Sequence, residues 1–427
     1  MKVYYNPEKE KIEKILCRPF ENDRNAKKSV REIIRNVRRR GDAALYEYAQ
    51  IFDSSELETL FVSEEEIEKS ENGLDDDLKS AVLTAASNIR KFHESQMMNE
   101  KKVSTMDGVK LWRVSRPIER VGLYVPGGSA PLFSTVLMLA IPAQIARCKD
   151  IMIATPAKNG KVNDAILFAA KISGVRKILK VGGAQAIAAF AYGTESIKRR
   201  DKIFGPGNRY VNIAKKMVSE DVAIDMFAGP SEVMVVIDRF SSARYAALDL
   251  LSQAEHGEDS QVVLLIREDE KKGRKVLSSV MKELEKEIAT LARRKIIEKA
   301  LSSSAVIISE DENLIIDAIN EYAPEHLILN TRNHMDMLER VCNAGSIFLG
   351  PYSSESCGDY ASGVNHSLPT SAQAKFTGGV SLDSFIKKIT VEKISRKGAE
   401  ELSRAVMTMA AAEGLDAHKR AMEVRLD

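Results

Sequence analysis

Residues 121–146 read VGLYVPGGSAPLFSTVLMLAIPAQIA, stand between Arg120 and Arg147, and contain no charged side chain. A run of that length could span a bilayer. Pro126, Gly127, Gly128, Pro131 and Pro142 interrupt it, and Ser129, Ser134, Thr135 and Gln144 add polar groups. A strand over Val121–Val125, a glycine turn and a buried helix near Ser134–Ala146 fit the pattern better, so no membrane partner is expected. The same texture continues downstream. Strands are expected at Ile151–Ala154, Lys177–Val181, Lys202–Phe204 and Ala223–Met226, with helices near Asn163–Ile172, Gly183–Ala191 and Arg209–Val218. A second series follows, with strands at Val233–Ile237, Val262–Ile266, Val306–Ile308, Leu327–Leu329 and Ser346–Phe348. Its helices are expected at Ala243–Ser252, Arg274–Ala289, Leu314–Tyr322 and Met335–Val341. Alternation at this pitch predicts parallel sheets with helices on both faces.

The expected fold class is therefore α/β: two Rossmann-like, incompletely doubly wound parallel-sheet domains in tandem, each of about five strands. Residues 1 to about 120 read as helical, with apolar positions at three- and four-residue spacing in Ser29–Tyr48 and Ala81–Phe92. Arg38–Arg40 and Glu64–Glu66 read as solvated helix faces. Leu382–Asp427 reads as a helical C-terminal tail without a strand partner. Gly350–Gly379 is rich in Ser, Gly, Pro and Thr, and a loop of that length in a compact chain is usually functional.

The chain has 427 residues, with 63 Lys+Arg against 61 Asp+Glu, a net charge of +2. That balance gives no reason to expect a nucleic acid partner. At 44% hydrophobic and 29% charged residues the composition is that of a globular protein. Cys17, Cys148, Cys342 and Cys357 lack CxxC spacing and read as reduced thiols. The opening MKVYYNPEKEKIEKIL is charged throughout and has no apolar signal region, so a cytoplasmic location is expected.

Three Gly-rich loops follow expected strands: Tyr124–Ser129, Val181–Gln185 and Phe204–Asn208. A fourth, Ala228–Glu232, lies at the seam between the two series. Glycine admits a close ligand, and a following helix start offers free N–H groups. Any one such loop is accounted for as a simple chain turn; four at one sheet edge favour a ligand. G-x-G-x-x-G is absent, because Tyr210 stands where the third glycine is needed, and there is no P-loop. A dinucleotide would be held differently, at the loop tips Tyr124, Gln185 and Asn208.

The chain has six histidines. His256 lies one turn from Gln253 on an expected helix end, and Glu325-His326 precedes a strand as a candidate acid–base pair. His366 shares the long loop with Glu355 and Asp359, and His418 follows Glu413 in the tail. His93 and His334 read as surface residues. Imidazoles with a carboxylate suit zinc, and such ligands are often far apart in sequence. A zinc hydrolase using His256, Asp359 and His418 with Glu325 as base, and a two-lobed binding protein, stand beside an NAD-linked enzyme as readings.

Seven segments occur in a fixed order: Arg120–Gly128, Gly182–Ala186, Phe204–Asn208, Gly229–Glu232, Gln253–Gly257, Glu325-His326 and Gly358–Gly363. In that order the chain, from about Arg18 to Arg425, resembles the histidinol dehydrogenases. The resemblance implies a zinc-dependent homodimer that oxidises L-histidinol to L-histidine through the aldehyde with two NAD. It implies zinc ligands at Gln253, His256, Asp359 and His418, and NAD contacts at Tyr124, Gln185 and Asn208. Ser231, His326 and Glu413, with the four metal ligands, would hold the substrate; Glu325 and His326 would move protons. It also implies an N-terminal arm over 1–18, a first domain over 19–122 plus 231–380, a nucleotide domain over 123–230, and a tail over 381–427 that reaches the partner subunit.

Overall fold

The computed structural model describes residues 1–18, 24–98, 101–127, 131–227 and 229–427. Gly128, Ser129 and Ala228 of the glycine loops lie outside the described residues. The strands, in chain order, are β1 (Lys2–Tyr5), β2 (Val103–Met106), β3 (Val109–Pro117), β4 (Arg120–Tyr124), β5 (Asp150–Ala154), β6 (Lys177–Leu179) and β7 (Lys202–Phe204). They continue with β8 (Ala223–Ile224), β9 (Glu232–Ile237), β10 (Gln261–Ile266), β11 (Ala305–Ile308), β12 (His326–Asn330), β13 (Ser346–Leu349) and β14 (Ile386–Ile394).

Two parallel sheets form, ordered β6-β5-β4-β7-β8 and β1-β11-β10-β9-β12-β13. Every residue of β9 and β10 is buried, as a strand covered on both faces requires. Side-chain alternation splits each sheet between two cores. Val233, Val235 and Ile237 enter one core, Met234 and Val236 the other. Likewise Val121 and Leu123 pack with Ile151 and Ile153, while Tyr124 packs with Met152 and Ala154.

Each strand expected from residue 121 onward is present, with ends shifted by a residue or two. Three expectations are corrected. β1 joins the edge of the six-stranded sheet beside β11, inside a region read as helical. β2 and β3 are also strands there. The tail does have a strand partner: β14 pairs antiparallel with β3 from Ile386↔Pro117 to Ile394↔Val109. Such half-exposed strands carry Lys and Glu, so they lack the apolar run that marks a buried strand. The stretch Ser29–Tyr48 is two helices, Arg24–Arg40 and Asp42–Asp53, parted at Gly41 with φ 51°.

Val30, Ile33, Ile34 and Val37 of the first helix pack with Tyr124 and Ile203. Val82, Ala85, Ala86 and Ile89 of helix Asp76–Glu94 pack with Val121 and Leu123. Helices Phe133–Ile145 and Gly183–Tyr192 lie on the five-stranded sheet, and helices Asp76–Glu94 and Arg24–Arg40 pack on them as an outer layer. Helices Arg396–Ala412 and Asp416–Glu423 close the chain and pack on each other.

Candidate active site

The Gly-rich loops leave the carboxyl edge of the five-stranded sheet, at the ends of β4, β6 and β7. The acid–base pair stands at the amino edge of the other sheet, where β12 begins at His326 beside Val233 of β9. A helix after a parallel strand carries the chain back to that amino edge. Helix Ala243–Ala254 does so, with Gln253 in its last turn and His256 just past its end. A cleft of about 820 Å³ joins the two edges, lined by Asn208, Ser231, His256, Ser260 and Ser371 among others.

Glu232, at the start of β9, holds both members of the pair through its backbone. Its N–H donates to Glu325 Oε2 at 2.8 Å, and its carbonyl lies 3.1 Å from His326 Nδ1. The second contact requires the proton on Nδ1, since a carbonyl only accepts. It leaves Nε2, buried and without a hydrogen-bond partner, as the basic nitrogen, 3.5 Å from Asp359 Oδ1. Burial pushes the Glu325 carboxyl up to about 8. Burial opposes charge on His326 as well, but Glu355, Glu325 and Asp359 together raise its pKa well above the ordinary value.

Asp359 and Glu355 lie one turn apart on the short helix Glu355–Tyr360. A methyl at Gly358 would come within 2.6 Å of the Phe348 ring, so the small residue lets this helix lie against β13. His366 supports it, with Nδ1 3.0 Å from the Asp359 carbonyl and Nε2 3.2 Å from Thr135 Oγ1. Ligand atoms of His256, Glu355 and Asp359 lie within 4.8 Å of one another. Glu355 is buried, its pKa is raised well above the ordinary carboxylate range by that burial, and its Oε2 has no partner. Gln253 is also buried, with its carboxamide 3.5 Å from Glu325 Oε2. Imidazole, carboxamide and crowded carboxylates form a donor set that fits a borderline divalent cation.

Glu355 took no role in the sequence reading. Its signal was the four-residue spacing to Asp359, which puts both carboxylates on one helix face. Glu413 and His418 are not brought to this cluster in the single chain; both are exposed on the C-terminal helices. His93 is buried, not a surface residue, with Nδ1 2.9 Å from the Ile89 carbonyl. His334 is half-buried, with Nδ1 2.8 Å from the Thr331 carbonyl.

At the other edge, the Tyr124 hydroxyl accepts from the Gly183 N–H at 3.1 Å, and burial pushes its pKa up to about 12. Gln185 is buried with an unpartnered Nε2. The Asn208 side chain accepts from the Tyr210 and Val211 N–H groups, capping helix Arg209–Val218. Its loop is braced from below. Lys215 Nζ lies 2.5 Å from Asp225 Oδ1 and donates to the Gly205 carbonyl at 2.8 Å; Asp225 accepts from the Gly205 N–H at 2.8 Å. Both side chains are almost fully buried. Lys215→Met strands the Asp225 carboxylate and is expected to cost about 3–5 kcal/mol. The double variant Lys215→Met/Asp225→Asn is expected to lose less. Urea unfolding followed by circular dichroism checks the order; equal losses would show that the stranded charge is not the cause.

Comparison with known proteins gives one consistent result. The family model described as histidinol dehydrogenase matches residues 16–426. A protein of Bacteroides thetaiotaomicron named histidinol dehydrogenase is 52% identical over 100% of this chain and 99% of its own. One from Campylobacter jejuni is 47% identical over 100% and 98%. The crystal structure of histidinol dehydrogenase from Elizabethkingia anophelis superposes with a TM-score of 0.96 at 46% identity, covering 100% of this chain and 98% of that one.

Proposed function

The chain belongs to the histidinol dehydrogenase family, and from that premise we propose that it oxidises L-histidinol to L-histidine in two NAD-dependent steps, with one zinc per subunit. The observation that carries this reading is the cluster of His256, Glu355 and Asp359 donors beside the Glu325–His326 pair, with His256 also lining a cleft that reaches Asn208. Gln253, His256 and Asp359, with His418 from the partner subunit, would hold the zinc. When bound, zinc supplies a positive anchor for the imidazole and amino nitrogens of the substrate, and NAD supplies the hydride acceptor.

The residues divide the remaining work. Ser231, His326 and Glu413 orient the substrate, and Tyr124, Gln185 and Asn208 seat the dinucleotide. His326 Nε2 takes the alcohol proton as hydride leaves carbon. Glu325 then takes a proton from water, whose oxygen adds to the aldehyde carbon, while His326 returns the alcohol proton to the aldehyde oxygen. His326 takes the proton of the hydrate in the second oxidation. A positioned acid–base group contributes roughly 10²–10⁴-fold. The exposed apolar residues Ile389, Val406, Met409, Leu415 and Val424 on β14 and the C-terminal helices give a partner subunit a surface to cover. A homodimer whose sites are completed by the partner's tail follows from this reading, as does a cytoplasmic place in amino-acid biosynthesis. No helix among the described residues is long and apolar enough to cross a membrane.

The test is the yield of NADH per histidinol consumed. Two per molecule, abolished by a chelator and restored by zinc, is the expected result. One per molecule would remove the second oxidation, and no dependence on the chelator would remove the metal.

A further inference from the structure

Arg18 lies more than two hundred residues from β9 in sequence, yet it grips Glu232. Its Nε is 2.5 Å from Glu232 Oε1 and its Nη2 donates to Oε2 at 2.8 Å, a two-pronged ion pair. The same Nη2 donates to the Tyr322 carbonyl at 2.7 Å, and the guanidinium lies 4.0 Å from the centre of the Tyr322 ring. The Tyr322 hydroxyl donates to Gln261 Oε1 at 2.9 Å, and Gln261 Nε2 donates back to the Cys17 carbonyl at 3.2 Å. The Ser371 N–H donates to Glu232 Oε1 at 2.9 Å. The Glu232 side chain is 2% exposed, so its carboxylate has little recourse to water and depends on these partners. Its backbone is the element that touches Glu325 and His326 on either side of the same residue.

We infer that Arg18 is a positioning residue for the Glu325–His326 pair, acting through the buried Glu232 carboxylate to hold the N–H and carbonyl that orient both side chains. The inference rests on the acid–base roles proposed above. Losing the fork leaves a buried carboxylate without its cation, and the start of β9 must shift to bring that charge to solvent. A shift there moves the donor to Glu325 and frees the proton position on His326. The proposed metal ligands Gln253, His256 and Asp359 sit on other segments, so their grip changes less, whereas Ser231 adjoins Glu232 and shares any shift at the start of β9.

The test uses the zinc-loaded enzyme with Arg18→Met, Arg18→Lys and the double variant Arg18→Met/Glu232→Gln. For Arg18→Met, kcat is expected to fall about 10- to 100-fold, the scale of a small misplacement of reacting groups. The zinc content should stay within about two-fold, so the loss falls on the acid–base pair and its neighbours, not on the metal. The double variant should recover kcat relative to Arg18→Met, because a neutral amide no longer needs the guanidinium. Arg18→Lys should recover it in part, keeping the charge without the fork. Unchanged kcat in folded Arg18→Met overturns the inference. So does a double variant no better than Arg18→Met, which would mark a loss of packing alone. A separate readout needs no turnover. Imidazole nitrogen shifts of ring-¹⁵N-labelled protein should report a hydrogen-bonded His326 Nδ1 in the parent, as its 3.1 Å contact with the Glu232 carbonyl requires, and a displaced Nδ1 resonance in Arg18→Met. The same Nδ1 resonance in both overturns the inference whatever reaction the protein catalyses, whereas absence of NADH from histidinol in the parent overturns the proposed function alone.

Discussion

Glu325→Gln is expected to slow oxidation of L-histidinal by about 10²–10⁴-fold, the range of a positioned general base, and to slow oxidation of L-histidinol far less. The substitution is close to isosteric. Its carbonyl oxygen can still accept the Glu232 N–H now seen at 2.8 Å on Glu325 Oε2, so β12 keeps its starting point. What is lost is the ability to take a proton from water. In the proposed reaction the first oxidation needs only the alcohol proton, which His326 Nε2 would take. The second needs a water oxygen on the aldehyde carbon before any hydride can leave. Burial has already moved Glu325 up to about 8, so it exchanges a proton near neutrality where an ordinary glutamate stays ionised. The measurement supplies each substrate separately to the zinc-loaded variant and compares the two rates. Equal losses on alcohol and aldehyde would refute the division of labour between the two residues.

The parallel sheets were legible because strands buried on both faces leave an unmistakable trace. β9, β10 and β11 are runs of Val, Ile, Leu and Met with hardly a polar interruption. β14 reads IKKITVEKI, and six of its nine residues are exposed. Its pairing with β3 is set by a strand 270 residues earlier, which no local pattern reports. β1 is a four-residue edge strand between polar residues, too short to show a period. His93 had a usable signal that charge obscured. Val82, Ala85, Ala86 and Ile89 form one stripe of helix Asp76–Glu94, and His93 is its next position, four residues on.

The candidate site was legible in pieces, not as a whole. Glycine loops at the ends of β4, β6 and β7 mark a carboxyl edge, the usual place for a ligand in this architecture. The acid–base pair stands at the amino edge of the other sheet, where that rule does not look. It is brought there because helices return the chain to the start of the next strand, so residues that end a helix meet residues that begin one. Gln253, His256 and Glu325-His326 share this position, although 69 residues separate His256 from Glu325. No spacing rule links those segments to Asp359, and the family resemblance supplied the set. Glu355 was passed over because one carboxylate in a polar loop looks like any other until the helix turn beneath it is known.

His418→Ala is expected to release most of the zinc although His418 is exposed in the isolated chain and sits on the last helix, Asp416–Glu423. In the ligand set proposed above, Gln253, His256 and Asp359 come from one subunit and would leave the ion short of a second imidazole without His418. Metal analysis of the purified variant measures the first part: one zinc per subunit retained would remove His418 from the ligand set. The origin of the imidazole is a question of symmetry. In a twofold dimer with exchanged tails, a hybrid of one His256→Ala subunit and one His418→Ala subunit carries both lesions in one site and none in the other. Random mixing makes half the dimers hybrids, so co-expressed variants should regain about one quarter of the parent activity. If each tail served its own subunit, every site in every hybrid would carry one lesion and mixing would restore nothing. The exposed apolar residues Val406, Met409, Leu415 and Val424 favour exchange, because a tail docked on its own site would have little reason to present them to a partner. Recovery on mixing therefore reads the path of the tail directly, and its absence in variants that lose zinc would place each tail on its own subunit's site.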